Sequence, residues 1–382
     1  MQYTLVESQN VFQEAIRKLK LADLLYLDLE FDKNHFRYGF NLCLVQISDG
    51  KECFIIDPLS EINIAKIFPI LESPNKEIIT FAFSEDIRLL HHLGCFPTRI
   101  IDLAIVLRLL NEPSLSLENV LFQKLSIPPK KSQQKSNWFD RPLTEEQLVY
   151  AADDVTHLPK LNDLLRAEIK SQHKENWLED EIQFLREQDW SQEEQQAAIP
   201  TKNIKYFGLQ EWMRYTALFE YREKKAKEIN RPSYKVIDKL FLEKLAKLEA
   251  EPKNIIDEKR VYPSLKNSGV IDELKELLAQ VENEIKRKEI QPNQPARAAL
   301  NPTEKLELRQ RRSWMDTAKN TIFFPIQTYL NENYGEFFTN YILSKRRIDG
   351  ILNKQSILLP YQKKLIIEAA VNLNIKSIEE YI

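Results

Sequence analysis

Between Leu24 and Phe31 the chain reads Leu-Leu-Tyr-Leu-Asp-Leu-Glu-Phe, an apolar, strand-like run that carries two acids, Asp28 and Glu30. A strand projects residues i and i+2 from the same face, so the two carboxylates stand side by side in apolar surroundings. They repel each other, and burial penalises each charge. The pair is tolerable mainly when a divalent cation sits between the two groups, and hard oxygen ligands of this kind suit Mg²⁺ or Mn²⁺.

Further acids stand in segments that read as helical. Asp86 follows the strand-like run Ile78 to Phe83 and precedes Ile87, Leu89 and Leu90, which places it in the first turn of a helix just beyond a strand end. Tyr150 and Asp154 are four residues apart in a segment from about Thr144 to Ile169, so they share a helix face. Asp153 is one residue, about 100°, off that face and reads as a solvated charge. Taken singly, Asp86 is also consistent with complementing a helix N-terminus, and Tyr150 with an ordinary core aromatic. Taken jointly with Asp28 and Glu30, they form the framework that two-metal phosphoryl transfer needs, with two ions roughly 3.5–4 Å apart. The five histidines show no ligand spacing.

Asp28-x-Glu30, Ser84-Glu85-Asp86 and Tyr150-x-x-x-Asp154 resemble the three exonuclease motifs of the DEDD superfamily in its tyrosine-containing branch. The stretch Ser136-Asn137-Trp138-Phe139-Asp140-Arg141-Pro142-Leu143, running into the third motif, is particularly similar to the ribonuclease D family. The resemblance implies a ribonuclease-H-like α/β exonuclease domain with a mixed five-stranded sheet. It implies that Asp28, Glu30 and Asp154 hold one divalent ion and that Asp28 bridges to a second, anchored by Asp86. It implies, too, that Tyr150 orients the attacking water. It also implies a 3′→5′ exoribonuclease that uses two Mg²⁺ or Mn²⁺ ions and releases nucleoside 5′-monophosphates from RNA with a free 3′ end, tRNA precursors among them. A DNA-directed 3′→5′ exonuclease with the same carboxylates is the first alternative, and a binding protein without turnover the second. Leu29 stands where the family usually has a small polar residue, and Phe81, expected as a core strand aromatic, where relatives often carry histidine.

Substrate contacts are expected from Phe31, His35, Arg37 and Tyr38, in an aromatic and basic stretch that continues to Phe40 and Asn41. Aromatic faces stack on bases and cations meet phosphates, so this composition fits a 3′-end pocket; a packing loop accounts for it as well. A net charge of -3 argues against non-specific coating of duplex, so binding would rest on local patches. Two are visible, at Lys130, Lys131 and Lys135, and from Lys286 through Arg312.

From the start to about residue 172, four strand-like runs (Leu24 to Phe31, Leu42 to Ile47, Cys53 to Ile56, Ile78 to Phe83) alternate with amphipathic helical stretches. Beyond that point the strand signal nearly disappears. Over 205–285, Trp212, Tyr221-Arg222-Glu223 and Asn230-Arg231-Pro232 resemble the helicase-and-ribonuclease-D C-terminal (HRDC) domain, with Ile237, Leu240, Leu245 and Leu248 as the apolar positions of its next helix. Residues 286–305 read as a linker, and 306–382 as a second helical, HRDC-like domain with its own core of Trp314, Ile322, Phe323, Leu330, Phe337, Phe338 and neighbours. On this division, a chain cut after about residue 200 keeps the metal site. The start of the chain shows no secretory signal, no apolar run suffices to span a bilayer, and three unspaced cysteines fit a reducing compartment. A cytoplasmic protein that engages no membrane is the expectation.

Overall fold

The structure, a computed structural model, describes residues 3–188, 190, 199, 201–297 and 301–382. Met1-Gln2 and residues 298–300 of the expected linker lie outside the described residues. The chain forms two compact units: Met1–Glu30, Leu42–Glu193 and Leu306–Ile382 make one, and Phe31–Asn41 with Glu194–Lys305 make the other.

The first unit is built on a mixed sheet of six strands: β1 (Tyr3–Val6), β2 (Leu24–Lys33), β3 (Phe40–Ser48), β4 (Cys53–Ile56), β5 (Glu77–Thr80) and β6 (Ile100–Asp102). Their order is β1-β4-β3-β2-β5-β6; β1/β4, β2/β5 and β5/β6 run parallel, and β3/β4 antiparallel. The sheet thus exceeds the five strands implied by resemblance. Strands as short as β1 and β6 carry too few alternations for a period of two to be read from sequence. Leu25, Leu27, Leu44, Ile55 and Ile79 are fully buried between the sheet and its helices.

β5 stops at Thr80, three residues short of the expected run, because Ala82 takes a left-handed turn (φ 55°). Asp102 fixes that turn: its carboxylate accepts the backbone N–H groups of Ala82 (2.8 Å) and Phe83 (3.0 Å), and it caps the next helix through Ala104 (2.9 Å). Phe81, expected in a core strand, therefore lies in the bend after β5 and is half-buried. The helix expected over Thr144 to Ile169 is broken into Glu145–Thr156 and Leu158–Ser171, with Pro159 starting the second piece.

The last helices belong to the same unit as the sheet. Trp177, on the helix Glu175–Glu187, stacks between Phe338 and Tyr361, with centroids 5.1 and 5.3 Å away. Glu181, one turn on, accepts the hydroxyls of Tyr341 (2.8 Å) and Tyr361 (2.6 Å). Burial pushes the Glu181 carboxyl up, and these two donors offset only part of the rise. Ile322, Phe323, Leu330 and Phe338 are buried as expected, whereas Trp314 and Phe337 are 46% exposed.

In the second unit, helices Leu209–Glu228, Lys239–Ala246 and Ser268–Arg287 enclose Tyr215, Leu218, Phe219, Leu242, Leu245 and Leu274. Leu240 and Leu248, expected in this core, are exposed: the inward face is Phe241, Leu242 and Leu245, and Leu248 (φ 61°) lies beyond the helix end. Part of the expected linker is ordered, since Gln294 accepts the Leu209 N–H (2.7 Å) and Phe207 the Ala296 N–H (3.2 Å).

Candidate active site

The site lies where β2 outruns its neighbour. β2 pairs with β5 only from Leu24 to Tyr26, so Asp28 and Glu30 project past that ladder, toward the carboxyl ends of parallel strands where ligands of open α/β sheets bind. The helix Ser84–His92 starts immediately after the Ala82–Phe83 turn, and Asp86 falls in its first turn. The helix Glu145–Thr156 opens on a reciprocal cap in which Thr144 accepts the Gln147 N–H (3.2 Å) and Gln147 accepts the Thr144 N–H (3.0 Å). That start sets Tyr150 and Asp154 one turn apart on one face.

Asp28, Glu30 and Asp154 each offer a carboxylate oxygen within 4.8 Å of the others. Asp86 stands outside this triad but is close enough for the charge of Asp28 to raise its carboxyl further. The Leu29 backbone N–H serves both Asp28 and Asp86, offsetting part of the rise in each. Strand alternation sends the Leu29 side chain to the opposite face, where it is buried, so its departure from the family pattern leaves the acids undisturbed.

All four acids titrate upward, and burial is the main cause in each. Asp28 is raised to about 7. Glu30 rises through burial and then the charges of Asp28, Asp154 and Asp86, and Asp154 through burial and then Asp28 and Asp153. Four mutually repelling carboxyls with oxygen-only donors, no thiol and no imidazole, fit hard divalent cations. Burial and the neighbouring carboxylates also push the Tyr150 phenol up, so it is a protonated donor at neutral pH.

The sign of these shifts sets a pH dependence. A carboxyl whose folded value is raised stabilises the fold below its unfolded value, near 4, and that contribution is lost as pH rises through the folded value, about 7 for Asp28. In EDTA, the melting temperature of Asp28→Asn should therefore exceed that of wild type by a margin that widens between about pH 4 and 7. Added Mn²⁺ should raise the wild-type melting temperature increasingly over the same window, as protons cease to compete. A margin and a Mn²⁺ effect that are flat with pH would contradict the coupling.

A cleft of about 520 Å³ opens on Tyr150 and Asp154. Leu117, Leu121, Ile127 and Val149 give it apolar walls, with Lys131 and Gln133 among its polar lining. Of the first basic patch, Lys130 is paired with Asp153, and Lys131 and Lys135 are exposed. The Trp-x-x-Arg-Pro-Leu stretch is an anchor: Arg141 binds the buried Asp57 through two nitrogens (2.5 and 2.8 Å) and donates to the Cys43 and Trp138 carbonyls. Trp138 is buried with its ring 6.3 Å from that of Tyr150.

The structure brings Asp28, Glu30, Asp86, Tyr150 and Asp154 together within the first unit, while Phe31, His35, Arg37 and Tyr38 belong to the second. Phe31 packs edge-on against Phe40 (5.2 Å), and Tyr38 packs on the helical core with its N–H on Asn230 (3.2 Å). His35 and Arg37 are exposed. Sequence reading missed Asp102 and gave Arg141 no task. An acid at a strand end just before an apolar helix is an N-cap signature, and would have found Asp102; nothing in the sequence pairs Arg141 with Asp57.

Residues 3–170 match the 3′-5′ exonuclease domain family. A ribonuclease D of Bartonella henselae is 28% identical over 259 residues, covering 66% of this chain and 62% of its own. A ribonuclease D of Zymomonas mobilis is 33% identical over 173 residues, 44% of either chain. The chain thus spans less than two thirds of the length of these curated relatives. The crystal structure of Escherichia coli RNase D, described as an exoribonuclease involved in structured RNA processing, shares the fold over the full length of both chains, with a TM-score of 0.67 at 23% identity. The likeness to ribonuclease D carried by the three motifs therefore extends well beyond them.

Proposed function

We propose that the protein is a metal-dependent 3′→5′ exoribonuclease that removes nucleoside 5′-monophosphates from RNA 3′ ends, tRNA precursors and other structured RNAs among them. The observation that carries this reading is the triad of Asp28, Glu30 and Asp154 converging within 4.8 Å beside Asp86 and Tyr150, in a domain matching the 3′-5′ exonuclease family. Asp28, Glu30 and Asp154 would hold one ion, and Asp86 with Asp28 a second. Two Mg²⁺ or Mn²⁺ ions in such a site activate water and stabilise charge on the phosphoryl oxygens.

The chain's own groups supply position and exclusion. Tyr150, held protonated, hydrogen-bonds the attacking water and aligns it with the phosphorus. Trp138 lies beside its ring, and Arg141, itself held by Asp57, donates to the Trp138 carbonyl. Asp102 positions Asp86 by fixing the turn that begins its helix. The cleft beside Tyr150 and Asp154 has the size and apolar walls to seat a terminal nucleoside, with Lys131 at its rim for phosphate.

Incubating the protein with 5′-labelled RNA and DNA of one sequence, with Mg²⁺, Mn²⁺ or EDTA, tests this: stepwise shortening of RNA from the 3′ end, abolished by EDTA, is the expected result. Preference for DNA would favour the first alternative, and binding without shortening the second. Tyr150→Phe removes one hydrogen bond, worth about 1–3 kcal/mol, so kcat should fall by about fivefold to somewhat over a hundredfold with KM little changed. A raised KM at constant kcat would make Tyr150 a substrate platform instead.

A further inference from the structure

The segment Phe31–Asn41 closes into one compact unit with the helical module, and the two meet through residues 200 positions apart in sequence. Its turn is rigidly built. The buried Asp32 accepts the N–H groups of Phe36 and Arg37 (both 3.0 Å), and Asn34 (φ 54°) accepts the Gly39 N–H (2.7 Å). His35, Phe36 and Arg37 are thereby held at the apex, His35 and Arg37 exposed and the His35 ring edge-on to Phe36 (4.5 Å). The helical module supplies Tyr234, 55% exposed, and Lys235, whose ammonium donates to the His35 carbonyl (2.6 Å) and lies 5.7 Å from the Phe36 ring and 5.6 Å from the Tyr234 ring.

We infer that His35, Phe36, Arg37, Tyr234 and Lys235 form a composite platform for single-stranded RNA. Tyr234 and the exposed His35 offer ring faces to unpaired bases, and Lys235, which lies over the Phe36 and Tyr234 rings, meets an intervening phosphate. An ammonium has three donors and Lys235 commits one to the loop, which leaves two for a phosphate. Single-strand binding needs this combination of exposed aromatic faces and interleaved cations, and it tolerates any sequence because every base has a π-face. The turn is ordered by its own Asp32 and Asn34 before any ligand arrives, so little entropy is lost on binding. This rests on the reading of the protein as an RNA exonuclease but assigns residues outside the carboxylate site.

The test is fluorescence anisotropy of a labelled 20-nucleotide single-stranded RNA in EDTA, where binding is read without turnover, on full-length wild type, Tyr234→Ala, Tyr234→Phe and Lys235→Ala. Stacking is worth about 1–3 kcal/mol per base, so Tyr234→Ala should weaken binding about tenfold or more, while Tyr234→Phe, which keeps the ring and loses the hydroxyl, should bind as wild type. Lys235→Ala should weaken binding and reduce the slope of log Kd against log salt by about one. Wild-type affinity in Tyr234→Ala and Lys235→Ala would overturn the platform. So would equal losses in Tyr234→Phe and Tyr234→Ala: the Tyr234 hydroxyl also donates to the His35 carbonyl (3.4 Å), and a shared loss means that Tyr234 only ties the loop. If the platform variants bind as wild type and instead lose capture of a protein, the surface serves a protein partner and the inference fails. Absence of Mn²⁺-dependent shortening in wild type would count against the exonuclease reading alone, because the binding arms do not depend on it.

Discussion

Asp28→Asn and Asp154→Asn should each abolish measurable RNA hydrolysis while leaving a folded protein that melts no lower than wild type in EDTA. Asp28 shares the triad with Glu30 and Asp154, and its charge raises Glu30, Asp86 and Asp154 alike. An amide keeps the shape of the side chain but offers a weaker, neutral ligand, so the cation is lost or misplaced. Stabilisation of developing phosphoryl charge by bound metal is worth several kcal/mol, and about 1.4 kcal/mol is tenfold in rate, so a loss of about a thousandfold or more is expected. The effect on the fold has the opposite sign, because one of four repelling carboxylates is gone. Single-turnover assays in Mg²⁺ and Mn²⁺, with melting curves alongside, separate the two effects. Wild-type turnover in either folded variant would remove the two-metal reading.

Some of the site could be read from the sequence and some could not, and the difference is physical. Asp28 and Glu30 stood out because two acids on one face of an apolar strand conflict with burial, and strand alternation relates them without knowledge of the fold. Tyr150 and Asp154 are related by helix periodicity in the same way. What joins the strand to the two helices is tertiary: the left-handed Ala82, Asp102 beneath it, and the Arg141–Asp57 pair, whose residues are 84 positions apart. Local pattern can mark Asp102 as a helix cap, but it carries no trace of its hold on Ala82 or of the Arg141–Asp57 pairing. The same gap explains the helical core, where Leu240 and Leu248 are as apolar as Leu242 and Leu245, and only the helix start and end decide which of them face inward.

The final helices matter most for what a shortened chain would do. Read from sequence, residues 306–382 are a module of their own and a cut after about residue 200 spares the metal site, but these helices share a compact unit with the sheet. Removing residues 306–382 strips Trp177 of both its stacked ring partners, Glu181 of both hydroxyl donors and Asn111 of the Phe338 N–H. Hydrogen bonds to a charged group are worth about 1.5–3 kcal/mol each and aromatic pairs about 0.5–1.5 kcal/mol beyond their buried area. The loss therefore consumes a large part of the roughly 5–15 kcal/mol that holds a typical domain together. Tyr341 also lines a cavity with Ala82, Phe83 and Asp102, the groups that begin the Asp86 helix, so the damage reaches the site. A chain ending at residue 305 should melt at least about 10 °C below the full-length protein and lose turnover on even a short single strand. The milder change Tyr361→Phe, which removes one Glu181 donor and keeps the ring on Trp177, should lower the melting temperature by only about 4–8 °C and leave turnover intact. A shortened chain that melts and turns over like the full-length protein would make residues 306–382 an independent module after all.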